Sequence, residues 1–269
     1  MRYHMAEIDY TLLDDPQIST SMFYPRMDFT ITPSGAEDHD VEVDAGVTIG
    51  CRAHFASKDA PTILFFHGNG EVVSDYDNFA PFYKKNTINL IVADYRGYGS
   101  SRGNPSFSSM MGDATLIYDY FAGYLQDKGY KGPLYVMGRS LGAMPAMEVA
   151  AKYQHSDVPF HIQGMILESG AGITVWDRWR PSSGNAELWD TMKDLYRSQV
   201  EAITVPLLTI HGEIDELIPV ERALETRELL GSSEKELLVI PGAGHNDIFF
   251  IGLSEYMQAV HDFVTQSRV

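Results

Sequence analysis

Ser140, Asp215 and His245 are the residues of this chain whose types and order could together make a nucleophile. A serine hydroxyl reacts poorly until a base takes its proton, and the base needs a carboxylate to orient it and stabilise its charged form. Ser140 lies in Gly138-Arg139-Ser140-Leu141-Gly142, a G-x-S-x-G pattern between the apolar run 134–137 and a helix-like stretch, 141–153. A strand, a tight turn and a helix in that order force the serine into a strained backbone conformation and lift its hydroxyl out of the sheet. The helix N-terminus beneath it favours a developing negative charge. Side chains at the two glycines would collide with the neighbouring elements. The pattern alone is weak, because Gly99-Ser100-Ser101-Arg102-Gly103 also matches it. That copy follows a loop and runs into Asn104-Pro105, so Ser101 reads as a turn residue.

The base and the acid follow the same logic. His245 sits in Gly242-Ala243-Gly244-His245-Asn246-Asp247, where flanking glycines let the imidazole project. Asp215 follows the strand pattern at 206–211, and the order Ser140, Asp215, His245 is the one that strand–turn–helix nucleophiles use. Glu213, Glu216 and Asp247 are rival acids, and Asp215 could also serve only to cap the turn before Pro219. His67 and His211, each ahead of a glycine at a strand end, read as loop braces. His67-Gly68-Asn69-Gly70 ends another strand with small, turn-prone residues. The backbone amides of Asn69 and Leu141 are expected to form an oxyanion hole, where losing one donor costs about 3–4 kcal/mol. Glu71, Ser74, Tyr76 and Asp94-Tyr95-Arg96 read as structural support around that site.

The elements that must position these residues alternate along the chain. Strands are predicted at 39–43, 47–55, 62–66, 88–93, 134–137, 165–168, 206–211 and 236–240. Helices are predicted at 76–85, 113–128, 141–153, 187–200, 220–230 and 254–266. Residues 1–35 read as an irregular arm with an early strand. Such alternation implies a mostly parallel sheet covered on both faces, with ligands outside the carboxyl ends of the strands. Each candidate residue falls just after a predicted strand, so all gather at that edge. Residues 170–202 interrupt the alternation with Trp176, Trp179, Arg180 and Trp189. This stretch is expected to be a small lid insertion whose tryptophans meet substrate, or else a peripheral helix with a wet tryptophan face.

Composition narrows the classes. A chain of 269 residues suits a single α/β domain, residues 1–269. A formal charge of −17 argues against nucleic acid or an anionic membrane surface as partner. Cys51 is the lone cysteine, so no internal disulfide is possible. No secretory signal is visible in residues 1–10, and no apolar run approaches the ~20 residues of a membrane span. A cytoplasmic protein without an integral membrane segment is expected, and neither a His-Glu-x-x-His motif nor paired cysteines suggest a metal.

Taken together, His67-Gly68-Asn69-Gly70, Asp94-Tyr95-Arg96-Gly97-Tyr98-Gly99, the Ser140 and Asp215 segments and Gly244-His245-Asn246-Asp247 resemble the α/β-hydrolase superfamily from about residue 40 onward. The resemblance is to the branch of serine esterases, thioesterases and serine-aminopeptidase-like hydrolases. It implies an eight-stranded sheet, a Ser-Asp-His triad and no cofactor. The expected substrate is a small-molecule carboxylic ester, with thioester or amide hydrolysis, or a catalytically silent binding module, as the alternatives. Pro145 departs from the common pattern, being tolerable only in the first turn of its helix.

Overall fold

The computed structural model describes residues 8–155, 160–170, 176 and 186–266. Among these, eight strands form one sheet: β1 Glu37–Asp44, β2 Val47–His54, β3 Thr62–Phe66, β4 Asn89–Ala93, β5 Leu134–Arg139, β6 Ile162–Glu168, β7 Leu207–Gly212 and β8 Lys235–Ile240. Their order across the sheet is β1-β2-β4-β3-β5-β6-β7-β8. β2 runs antiparallel to both β1 and β4, and every other neighbouring pair is parallel. The reversal is local: β1 and β2 form a hairpin through a turn where Gly46 takes a φ of 72°. From β3 to β8 the carboxyl ends therefore share one edge.

The central strands are apolar on both faces because helices cover both. Leu64, Phe66, Ile91 and Val136 point into one core, with α3 (Phe107–Asp127) and α4 (Ala143–Tyr153) packed over them. Ile63, Phe65, Leu90, Val92 and Met137 point into the other, which the C-terminal helix Leu253–Thr265 closes with Val260 and Phe263. The alternation Ile63, Leu64, Phe65, Phe66 is the two-residue period of a strand buried on both sides. No helix among the described residues is long and apolar enough to cross a membrane.

Three local expectations are corrected. Residues 10–22 form a 3₁₀ turn, Tyr10–Leu13, and a short helix, α1, Pro16–Met22, while the early strand is only an isolated bridge from Met27 to Gly99. Asp15 caps α1, accepting from Gln17 N at 2.7 Å, and Pro16 fills the first helical position. The helix expected at 76–85 splits into a 3₁₀ segment, Val73–Asn78, and α2, Ala80–Lys85, with Pro81 in the first turn of the latter. α3 begins well before residue 113 because Ser106 caps it, accepting from Ser109 N at 3.2 Å.

The stretch around the tryptophans also differs from a wet face. Helix α5, Ala186–Glu201, turns Trp189, Tyr196 and Val200 into the core. Trp176 is 1% exposed, its ring 5.0 Å from that of Trp189, whose Nε1 donates to the Trp176 carbonyl at 3.1 Å. Burying two indoles removes more apolar area from water than an open face would, and the hydrogen bond removes one donor's desolvation cost. Trp179 and Arg180 lie outside the described residues.

Candidate active site

β5 delivers the serine. Directly after Arg139 the chain turns through a single 3₁₀ turn, Ser140–Gly142, and enters α4. Ser140 has a φ of 51°, a left-handed conformation that costs an L-residue about 1–2 kcal/mol. The flanking glycines make this turn sterically possible. A Cβ on Gly138 would lie 2.1 Å from the Gly142 carbonyl oxygen, and one on Gly142 would lie 2.0 Å from the Phe66 carbonyl oxygen. Gly142→Ala is therefore expected to cost at least about 2–3 kcal/mol, since backbone and not a movable side chain is in the way, read as a lowered unfolding midpoint in urea. Pro145 is the third residue of α4, where its missing N–H leaves no helical hydrogen bond unmade.

His245 and Asp215 come to the serine from the loops after β8 and β7. The Ser140 Oγ lies 3.0 Å from His245 Nε2, and His245 Nδ1 lies 2.7 Å from Asp215 Oδ2. The other carboxylate oxygen, Oδ1, accepts from the amides of Leu217 and Ile218 at 2.9 and 2.8 Å. Asp215 thus both caps its turn and meets the imidazole. The rival acids have other partners or surroundings: Glu213 accepts from Gly242 N at 2.9 Å, Asp247 from Gly244 N at 2.7 Å, and Glu216 is exposed. Ser101 is turned away, its Oγ accepting from Gly50 N at 2.9 Å. His211 braces the acid loop, its Nε2 meeting the Ile218 carbonyl at 2.8 Å.

Burial holds the His245 imidazole below its ordinary value of 6.5, against the pull of the Asp215 carboxylate, with Arg139 and His211 adding to the downward push. A base must be neutral to accept a proton, so a lowered pKa would suit His245 to that role in mildly acidic solution. The acid limb of kcat/KM is accordingly expected to have its midpoint below pH 6.5 and to be flat through neutrality, measured with a substrate whose own ionisation is silent there.

The loop after β3 packs against the same turn, since the carbonyls of Phe66 and His67 both crowd Gly142. This brings the Asn69 segment beside Leu141. The Asn69 side chain is fixed on three sides: Oδ1 accepts from Tyr24 N at 2.9 Å and Tyr98 Oη at 2.7 Å, and Nδ2 donates to the Met22 carbonyl at 2.6 Å. The N-terminal arm, featureless in sequence, thus ties down the loop expected to hold the oxyanion. His67 is fully buried, with Nε2 3.1 Å from Asp94 Oδ1 and the Tyr95 hydroxyl donating to its carbonyl at 2.6 Å.

The guanidinium of Arg139, the first variable residue of the G-x-S-x-G pattern, escapes the sequence reading. It pairs with Glu71 and Glu168 and donates to the His245 carbonyl at 2.8 Å and Asn246 Oδ1 at 3.0 Å. Glu71 in turn accepts from Gly68 N at 2.7 Å and the Tyr76 hydroxyl at 2.6 Å, and Glu168 from the Tyr256 hydroxyl at 2.8 Å. Burial raises the Glu168 carboxyl pKa, and the Arg139 guanidinium only partly offsets it. The one signal available beforehand is an arginine inside an otherwise small and apolar turn.

Comparison with known proteins agrees with this architecture. The family model described as serine aminopeptidase, S33, matches residues 57–183. The α/β-hydrolase domain-containing protein 17B of Xenopus tropicalis is 31% identical over 233 residues, covering 83% of this chain and 73% of that protein. The human protein of the same name is 29% identical over the same shares. Among solved structures, an esterase of Pyrococcus furiosus superposes with a TM-score of 0.67 at 19% identity, covering 89% of this chain and 97% of that one. Est1E of Butyrivibrio proteoclasticus, solved with ferulic acid bound, gives 0.66 at 18% identity, covering 84% and 97%. With the sheet order, the strand-end loops and a relative of this identity and coverage in hand, the chain belongs to the α/β-hydrolase superfamily, a hydrolase of the α/β class.

Proposed function

We propose that the chain is a serine hydrolase that cleaves carboxylic esters of modest size through an acyl-enzyme. The observation that carries this reading is the unbroken line of hydrogen-bonding distances from Ser140 Oγ through the His245 ring to Asp215. His245 Nε2 takes the Ser140 proton as Oγ attacks the ester carbonyl, and Asp215 holds Nδ1–H and stabilises the imidazolium. The amides of Asn69 and Leu141 receive the tetrahedral oxyanion. His245 then protonates the departing alkoxide, leaving an acyl-serine. In the second half His245 activates a water that attacks the acyl carbonyl, and Ser140 leaves with its proton restored. Trp176 and Trp189 are enclosed in the core, so they are assigned to packing instead of open contact with an acyl chain.

The description of the matching family as aminopeptidases favours a second reading, amide hydrolysis at the same three residues. Nitrophenyl esters of increasing chain length, set beside thioester and amide analogues with Ser140→Ala as blank, test both. Faster turnover of esters supports the proposal, and a preference for amides or thioesters overturns the ester assignment. A folded protein that a fluorophosphonate fails to label at Ser140 is a binding module instead.

A further inference from the structure

We infer that Arg139 is a positioning residue that holds the nucleophile turn, the base loop and the oxyanion loop in one register, an inference that rests on the serine-hydrolase reading above. Arg139 immediately precedes Ser140, and its guanidinium is held in place by the partners that its nitrogens meet. Nη2 donates to the carbonyl of His245 itself, at 2.8 Å, and to Asn246 Oδ1 at 3.0 Å. Nη1 pairs with Glu71, whose other oxygen accepts from Gly68 N at 2.7 Å, one residue before Asn69. Nε reaches Glu168 Oε1 at 3.1 Å, anchoring the group to the end of β6. The nucleophile turn, the base loop and the loop after β3 are thus joined through one side chain.

Two further observations assign this role to the guanidinium's shape as well as its charge. A cavity of about 240 Å³, lined by Phe79, Phe249 and Tyr256 among others, adjoins the group, so on that side its hydrogen bonds and ion pairs hold it. Gly68 lies against it: a Cβ there would be 2.5 Å from Arg139 Nη1, so an added methyl group pushes the guanidinium aside. A planar fork donates in several fixed directions at once, whereas a lysine ammonium is a point charge on a flexible stem. Catalysis is sensitive to this kind of registration, since a displacement of about 1 Å between reacting groups can cost about 10²-fold.

The test uses the full chain with Arg139→Lys, Arg139→Gln and Gly68→Ala, each compared with wild type per natively folded molecule. The expected result is a kcat lowered about 10- to 100-fold in all three, with KM changed less than about threefold. The pH profile separates charge from geometry. His245 is faced by Asp215 and His211 from the β7 side and by Arg139 from β5, with Glu71 and Glu168 behind the arginine. Removing the guanidinium charge favours the imidazolium, so Arg139→Gln moves the acid limb of kcat to higher pH. Arg139→Lys keeps the charge and leaves the limb in place while kcat still falls. Should Arg139→Gln not fold, Arg139→Lys and Gly68→Ala carry the comparison. Variants that lose thermal stability yet keep wild-type kcat overturn the inference, leaving Arg139 a purely structural ion pair. Ester turnover that survives in Ser140→Ala would instead defeat the underlying serine reading, so the two failures are told apart.

Discussion

Ser140→Ala is expected to lower kcat for ester hydrolysis by about 10⁵- to 10⁶-fold and to abolish labelling by a fluorophosphonate, while the fold persists. The size follows from the arrangement: with Oγ gone, the His245 ring at 3.0 Å has no proton to take and no covalent intermediate forms. Any residual rate comes from the oxyanion donors acting on water. Alanine keeps the penalty of a φ of 51°, so the substitution does not relieve the turn. Ser140→Gly does relieve it, and should be the more stable of the two inactive variants by about 1 kcal/mol, measured by urea unfolding. On the proposed serine-hydrolase reading, the strained serine trades stability for reactivity. Equal activity in wild type and Ser140→Ala would end the proposal.

Asp215→Asn is expected to reduce kcat by about 10⁴-fold with little change in KM. The reason lies in how the carboxylate is shared. Oδ1 is held by the amides of Leu217 and Ile218, so an asparagine keeps its carbonyl there and turns its amide NH₂ toward His245. The imidazole must then accept at Nδ1 and carry its proton on Nε2, facing Ser140 with a donor where an acceptor is needed. The turn survives, so the unfolding midpoint should move far less than the rate. Asp215→Ala, by contrast, removes the charged acceptor of the Leu217 and Ile218 amides, and is expected to lose about 2 kcal/mol of stability in addition. A pre-steady-state burst with a nitrophenyl ester separates the two halves of the reaction. If Asp215→Asn keeps a wild-type acylation rate, the acid has been wrongly assigned.

The wiring around Arg139 bears on which parts of this protein could be read in advance. The apolar runs of β3, β4 and β5 declared themselves because a strand covered on both faces favours apolar side chains along most of its length, and such runs are local in sequence. The hairpin at Gly46 and the glycines around Ser140 are equally local: a turn needs particular φ angles within three or four residues. The amphipathic periods of the larger helices follow from the same short-range geometry, which is why their errors fall at the ends, where Ser106 and Pro81 decided the boundaries through capping and a missing N–H.

What lay beyond the sequence is everything set by convergence across long separations. Arg139 meets Glu168 across 29 positions, Glu71 across 68 and Asn246 across 107, and no local pattern marks an arginine whose charge is neutralised that far away. Burial of Trp189 likewise depends on Trp176 and Tyr196 arriving to cover it, and the attachment of residues 22–24 to Asn69 depends on the sheet edge already being built. By itself the sequence determined most of the elements and the mostly parallel sheet, because backbone preference and hydrophobic period act over a few residues. Only the tertiary structure decided which side chains touch, at what distance and with what charge beside them, because hydrogen bonds and ion pairs depend on positions in space that the chain reaches only once folded.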